Sequence, residues 1–266
     1  MAIPVFGLGT FRLKGPQAVA AVSTALKLGY RHIDTAQIYG NEADIGKAIQ
    51  TSRIAREDLF VTTKVWPENF HGDDLITSLE ESLEKLGLDN VDLALIHWPV
   101  PAQQAPLAEY VGALLEAREQ CLTRYIGVSN FTIAHLEQAI TAIGAENIAT
   151  NQIEVHPFLQ NRAVRDFAQR HDIHTTAYMP LAHGNVMQDA TLQRIAGAHR
   201  VTPAQVALAW LMQQGVAVIP SSTRREHLAA NLQAQKLTLS QQEMQDIAEL
   251  ERGERLVNPD FAPQWD

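Results

Sequence analysis

One cysteine, Cys121, stands alone among 266 residues. A disulfide within the chain is therefore impossible, and so is a zinc site built from cysteines. Basic side chains are in the minority, 21 Lys and Arg against 30 Asp and Glu, for a net charge of −9. That balance argues against a nucleic-acid partner, because a phosphate backbone demands a basic face. It leaves room for a locally positive pocket that takes a small molecule. No apolar run approaches the ~18 residues of a membrane span. The opening residues, Met1-Ala2-Ile3-Pro4-Val5, carry no basic stretch followed by an apolar one. A cytoplasmic location and no membrane partner are expected. No linker rich in Pro, Gly or Ser divides the chain, so residues 1–266 read as a single domain. Cys121 falls in a stretch of helical spacing and reads as a small buried or half-buried apolar residue.

What the chain does have is 46% apolar residues, enough for a full core, arranged in a repeating alternation. Short β-branched runs occur at Tyr30–Asp34, Phe60–Val65, Val91–His97, Tyr125–Ser129, Thr150–Glu154, His174–Tyr178 and Ala217–Pro220, with a weaker one at Val5–Gly9. Amphipathic stretches with a spacing near 3.6 separate them, among them Gln17–Leu28, Asp73–Leu86, Thr132–Ile143, Asn161–Gln169 and Pro203–Gln214. Gly29 and Gly87 read as helix ends, and Pro203 after Thr202 as a first-turn proline. Two helices beyond the repeat are expected, within Ala190–His199 and over Ser240–Glu251.

Strands that alternate with helices give a parallel sheet, either open and doubly wound or closed. The open sheet's dinucleotide fingerprint is missing: Gly7-Leu8-Gly9-Thr10-Phe11-Arg12 begins like GxGxxG but has no third glycine. Eight near-regular units in an undivided chain predict an α/β fold of the (β/α)8 TIM-barrel type, with extra helices near the C-terminus.

In such a barrel every strand ends at one face, and that face carries the chemistry. The strand ends here are Asp34, Lys64, His97, Ser129 with Asn130, Gln152 and Glu154, Tyr178, and Ser221 with Ser222. Each has an ordinary explanation when taken singly: a turn cap, a solvated lysine, a core histidine. Together with Tyr39 they suit one reaction. One histidine, one lysine and one carboxylate make a poor zinc site. A tyrosine beside a lysine cation is a workable general acid, because the cation favours the phenolate and draws the phenol below its ordinary pKa of about 10. Asp34 would keep Lys64 charged and oriented, and His97 would hydrogen-bond a carbonyl oxygen. Hydride transfer to a carbonyl carbon, with Tyr39 protonating the oxygen, follows. The hydride must come from a bound nicotinamide, since no side chain supplies one.

The chain also resembles the aldo-keto reductase family. Gly29-Tyr30-Arg31-His32-Ile33-Asp34-Thr35-Ala36, Tyr39, Asn41-Glu42 and Ile45-Gly46 match the family's first signature. Lys64-Val65-Trp66, Leu95-Ile96-His97-Trp98-Pro99, Ile126-Gly127-Val128-Ser129-Asn130-Phe131, Asn151-Gln152-Ile153-Glu154, Ala177-Tyr178-Met179-Pro180-Leu181 and Val218-Ile219-Pro220 follow in family order. The resemblance spans about the whole chain, from Gly7 to Asn231. The resemblance implies a catalytic tetrad of Tyr39, Asp34, Lys64 and His97. It implies that Ser129, Asn130 and Gln152 hold the nicotinamide carboxamide and that Tyr178 stacks on its ring, with Met179 and Leu181 of the same motif beside it. Gly9, Thr10 and Phe11 would approach the cofactor from the first strand. Within the family the chain is similar to the bacterial 2,5-diketo-D-gluconate reductases of the B type, which implies reduction of 2,5-diketo-D-gluconate, methylglyoxal and aromatic aldehydes. It also implies a monomer.

The cofactor is expected to be NADPH. Ser221-Ser222-Thr223-Arg224 opens a helix that runs to about Gln235, and the N–H groups there form an anion site. Arg224 suits the added charge of a 2′-phosphate. Where many family members carry lysine after Ile-Pro this chain has Ser221, and where many carry arginine it has His227; Arg224 is read as compensating. Asn231 matches the family's adenine contact. Phe11, Trp66, Trp98 and His97 are expected to line the substrate pocket, with Trp265 from the tail. That tail is short, so a fairly open mouth and broad specificity are expected. Two other readings stay open at this point. One is a cofactor-sensing module without turnover. The other is a barrel lyase that uses Lys64 as a Schiff base.

Overall fold

Alternating β-branched and helical stretches become eight parallel strands paired in sequence order: β1 Leu8–Gly9, β2 His32–Asp34, β3 Phe60–Val65, β4 Val91–Ile96, β5 Thr123–Ser129, β6 Ile148–Glu154, β7 His174–Tyr178 and β8 Ala217–Val218. They are described by a computed structural model that covers residues 3–266. The sheet closes on itself where Phe6 bridges Val218, with Gly7 N donating to Val218 O and Val218 N donating to Val5 O. The ladder at this seam is shorter than the sequence runs suggest. Gly9 N still donates to Pro220 O at 3.1 Å, but Pro220 has no N–H to return a bond, so the regular ladder ends there.

Around the barrel lie α1 Gly15–Leu28, α2 Glu42–Ser52, α3 Asp74–Leu86, α4 Leu107–Glu119, α5 Ile133–Ile143, α6 Arg162–Arg170, α7 Ala190–His199, α8 Pro203–Gln213, α9 Arg225–Gln233 and α10 Gln241–Ala248. Helices α7 and α10 are the two expected beyond the repeat. Left-handed Gly29 and Gly87 end α1 and α3, and a reciprocal Thr202–Gln205 capping box opens α8 ahead of Pro203. Cys121 departs from expectation. Helix α4 stops two residues before it, and it sits exposed with a left-handed φ of 64° in the turn to β5. Helical spacing in the sequence ran past the point where the chain must turn back into the sheet.

The period of two along each strand decides what enters the barrel. Leu93 and Leu95 pack inward with Phe60, Ala149 and Ala217, while Ala94 and Ile96 face the helices. The same alternation sends His32 and Asp34 of β2, and Thr62 and Lys64 of β3, to the inner face. His32 Nε2 meets Thr62 Oγ1 at 3.0 Å in the lower part, and Asp34 meets Lys64 at the top. Apolar packing thus fills the base of the barrel, and charge collects at the C-terminal rim.

Helix α2 passes so close to the end of α3 that a Cβ on Gly46 would lie 2.4 Å from Leu86 O. Gly112, inside α4, has nothing within 4 Å of the same position. Gly112→Ala is expected to stabilise the fold by about 0.5–1 kcal/mol through helix propensity. Gly46→Ala is expected to destabilise it despite that same propensity. Urea unfolding midpoints of the two variants check the opposite signs.

Candidate active site

Asp34 and Lys64 stand on adjacent strands with their side chains on the inner face, both sealed from solvent. The Lys64 ammonium donates to Asp34 Oδ1 and, at 2.9 Å, to Thr35 O. Asp34 Oδ2 accepts from Gln152 Nε2 at 2.7 Å, across the barrel from β6. A carboxylate and an ammonium this deep are tolerated because each is paired and hydrogen-bonded. Burial works against the ammonium, but the charge and hydrogen bond of Asp34 outweigh it and hold Lys64 above its ordinary pKa.

Tyr39 arrives from a different direction. It lies on the single helical turn Gln37–Tyr39 that follows β2, half-buried, with its hydroxyl 3.5 Å from Lys64 Nζ. Gln37 pins that turn: its side-chain oxygen accepts from Trp66 N at 2.9 Å and from Asn69 at 3.0 Å, and its amide donates to Ser78. The expected acidic phenol is not what results. Burial raises the Tyr39 pKa above the ordinary 10.0, and the attraction of Lys64 only partly offsets it. The phenol therefore keeps its proton at neutral pH.

His97 follows β4 directly and meets Tyr39 edge-on, ring centroids 5.7 Å apart. Burial, reinforced by the Lys64 charge, pushes its pKa well below 6.5, so the ring is neutral. Its Nδ1 is enclosed without a partner, which leaves Nε2 as the nitrogen able to reach a molecule in the mouth. The sequence thus brought the four tetrad candidates together, and it erred on the acidity of one.

The polar set at β5 to β7 is equally tight. Ser129 Oγ donates to Gln152 O at 2.7 Å, Asn130 Nδ2 to His97 O at 3.0 Å, and Tyr178 OH to Asn130 Oδ1 at 2.7 Å. Asn130 sits at a φ of 63° and Met179 at 53°. The Asn130 bond places Tyr178 at the same mouth, and half-buried Met179 and Leu181 follow it in the chain. From β1, Thr10 is buried with its hydroxyl on Asp34 O, beside Gly9, and half-exposed Phe11 lies 5.2 Å from the Tyr39 ring.

The segment 221–224 precedes α9 and does not belong to it. Ser221, Thr223, Arg224 and His227 are exposed, while Asn231 is buried on the inner side of α9. No side chain caps the first turn of α9, and its N–H groups are open to an anion. The Arg224 guanidinium donates to Glu226 Oε1 at 2.9 and 2.6 Å in an exposed pair.

Aromatic rings wall the mouth. Trp66 lies 5.2 Å from His97, and Trp98 is buried next to it. Phe261, which the sequence reading did not single out, stands edge-on to both tryptophans at 5.8 and 5.5 Å. Trp265 adds an edge against Trp98 at 6.1 Å. The tail thus folds back against the rim and adds two rings to the aromatic wall. Nothing in the local pattern Asn258-Pro259-Asp260-Phe261 marks this ring as part of the wall, because its partners lie more than 160 positions earlier.

A family model described as the aldo/keto reductase family matches residues 5–252. The chain belongs to the aldo/keto reductase family. It is 57% identical to methylglyoxal reductase DkgB of Escherichia coli O157:H7 over the whole of both chains. It is 43% identical to an aldo-keto reductase of Mycobacterium marinum, over 96% of this chain and 90% of that one. Among solved structures, a putative 2,5-diketo-D-gluconic acid reductase B superposes with a TM-score of 0.95 at 46% identity, covering 99% of this chain and 94% of the other. The protein is accordingly an oxidoreductase that acts on carbonyl groups, and its family works with nicotinamide cofactors. Among the described residues no helix is long and apolar enough to cross a membrane, and no cluster of His, Cys, Asp or Glu could hold a metal ion.

Asp34→Asn leaves the Lys64 ammonium buried without its counter-charge. The expected cost is about 3–5 kcal/mol of stability, and the ammonium should lose its proton more readily than in the parent. Urea denaturation measures the first, and NMR titration of the Lys64 Nζ resonance the second.

Proposed function

We propose that the protein is an NADPH-dependent reductase of small aldehydes and ketones, methylglyoxal, 2,5-diketo-D-gluconate and aromatic aldehydes among them, with Tyr39 as the proton donor. The observation that carries this reading is the Tyr39 hydroxyl beside the Lys64 ammonium, itself clamped by Asp34, next to a neutral His97. The same names appear on the relatives, a methylglyoxal reductase and a diketogluconate reductase.

The residues fit the cofactor. Gln152 gives its amide N–H to Asp34, so its side-chain oxygen is left for a carboxamide N–H, with Ser129 and Asn130 alongside. Tyr178, Met179 and Leu181 would flank the nicotinamide, and Gly9, Thr10 and Phe11 would border it from β1. The uncapped start of α9, with Ser221, Ser222 and Thr223 before it, would take phosphate, and His227 and Asn231 would lie along the adenosine. Bound, NADPH supplies the hydride to the carbonyl carbon.

The chain's own groups do the rest. His97, neutral and in the tautomer with its proton on Nε2, donates to the carbonyl oxygen and sets its angle. Tyr39 gives its proton to that oxygen as negative charge develops there. Lys64 then steadies the phenolate left behind, and Asp34 keeps Lys64 charged throughout. Trp66, Trp98 and Phe11 exclude water around the reacting carbon. A lyase working through Lys64 would need that amine neutral and free to attack, whereas here it is held as an ammonium by Asp34. The protein is expected to act as a monomer in the cytoplasm.

Tyr39→Phe keeps the ring and removes the acid. Turnover of methylglyoxal with NADPH should fall by ~10²–10⁴-fold, with cofactor affinity near that of the parent. In the parent, kcat/KM for reduction should stay level through neutral pH. It should decline only as pH rises through the raised Tyr39 value, since the acid must be protonated, or drops well below 6.5, where His97 charges. Full activity of Tyr39→Phe refutes the assignment, and a protein that binds NADPH yet turns over no carbonyl compound is a sensor.

The exposed Arg224–Glu226 pair is screened by solvent and holds the guanidinium only weakly, so a 2′-phosphate can recruit it. Arg224→Ala should weaken NADPH by about tenfold or more, as expected for a charged hydrogen bond, and leave NADH nearly unchanged. Fluorescence titration with both cofactors decides it; equal losses would make the arginine structural.

A further inference from the structure

Residues 254–266 form neither helix nor strand, only a turn at Asp260–Phe261, yet they return to the aromatic wall of the mouth. Leu256 packs against the core, but apolar burial goes little further along the tail. Phe261 is 51% exposed, and a pocket of about 390 Å³ is bordered by Arg255, Trp265 and Asp266 on the tail side and by Leu159, Asn161 and Val164 on the other. Polar ties do most of the holding. Arg255 donates to Asn161 Oδ1 at 3.1 Å and covers the Trp265 ring at 3.7 Å. Trp265 Nε1 donates to Asn258 Oδ1 at 2.8 Å. The Asp266 carboxylate accepts from Ile133 N, in the first turn of α5, at 3.0 and 3.2 Å.

The remaining tie is of a different kind, because its anchor lies inside the barrel wall. Glu154 ends β6, opposite Tyr178 in the ladder, with no solvent exposure at all. Its Oε1 accepts from Leu256 N at 2.8 Å and from His156 Nε2 at 3.0 Å, and its Oε2 accepts from Val257 N at 2.9 Å. A carboxylate so enclosed must have its lone pairs filled, and two tail amides fill them through short charge-assisted bonds. Four residues beyond Val257 comes Phe261, the ring against Trp66 and Trp98.

We propose that Glu154 is a positioning residue for substrate choice: by gripping the tail backbone at Leu256 and Val257 it sets Phe261 against Trp66 and Trp98, so that recognition of bulky aromatic carbonyl compounds depends on it and recognition of three-carbon dicarbonyls does not. The proposal rests on the carbonyl-reductase reading above. A three-carbon dicarbonyl needs only Tyr39 and His97, whereas a benzaldehyde ring extends outward into the aromatic wall. Edge contacts between rings there add to the area buried.

Kinetics on methylglyoxal and 4-nitrobenzaldehyde test it. Glu154→Gln keeps the size but turns an N–H group toward the tail amides, which already donate. KM for nitrobenzaldehyde should rise by about tenfold, worth ~1.4 kcal/mol, with its kcat, the methylglyoxal constants and the NADPH Kd all held close to the parent. Phe261→Ala should give the same split, and Glu154→Gln added to Phe261→Ala should raise KM no further, since both act through one ring. Equal losses on both substrates, or a full extra tenfold in the double variant, overturns the proposal. Should Glu154→Gln not fold, Val257→Pro removes one of the gripped N–H groups without touching the barrel; it must show the same split in weaker form, and parental KM values for both substrates overturn the proposal. The unsubstituted protein is the control: if it reduces neither compound, the reductase reading falls first.

Discussion

An ion pair sealed inside the top of a barrel sets the terms for everything around it. Asp34 and Lys64 can stay charged without water only if their remaining hydrogen-bonding capacity is met, and the fold meets it with Thr35 O on one side and the Gln152 amide on the other. That requirement fixes register. Pairing His32 with Phe60 and Asp34 with Thr62 leaves Lys64 one inward step further along β3, within reach of the carboxylate. A slip of one residue would turn either charge outward among the helices. The apolar base formed by Leu93, Leu95 and Phe60 makes that slip costly, so the core beneath the site also holds the site in place.

The pair's effect on Tyr39 is a contest between two terms. Burial disfavours the phenolate, the ammonium favours it, and burial prevails. A proton donor gains from that outcome. A phenol already acidic at rest would stand ionised for part of the time and be unable to give its proton. The ammonium matters most at the moment negative charge appears on the phenol oxygen. The neutral state of His97 comes from the same two causes, burial and a nearby cation, acting on a base. In the proposed reaction one lysine thus lets the histidine donate without charge and eases the tyrosine's ionisation.

The two ends of the mouth are built on different principles. The end proposed for the nicotinamide is preorganised: Ser129, Asn130, Tyr178 and Gln152 are already linked to one another and to the Asp34–Lys64 pair or His97. The end proposed for the phosphates is a solvent-facing helix start whose arginine is held by a surface pair of small worth. Over the opposite rim the tail is tied down by a few polar bonds and carries an aromatic ring into the wall. Chemistry needs fixed geometry, while recognition of a cofactor's far end and of varied substrates tolerates side chains that must move.

By itself the sequence determined the order of elements, the closed parallel sheet, and the strand-end residues that share its rim. Those depend on local spacing: the period of two in a strand, the 3.6 of a helix, and the place where each strand stops. Motifs such as Gly29 to Ala36 and Leu95 to Pro99 also lie within single stretches, so they could be read without contacts. It misjudged Cys121, because helical spacing does not reveal where a chain must turn, and it overran the seam strands. Only the tertiary structure decided whether burial or the lysine governs Tyr39, which group Gln152 holds, and that Phe261 meets Trp66 and Trp98. Each of those is a balance or contact between residues tens to hundreds of positions apart. Such encounters follow from the closure of the barrel and the return of its tail, and no local pattern encodes them.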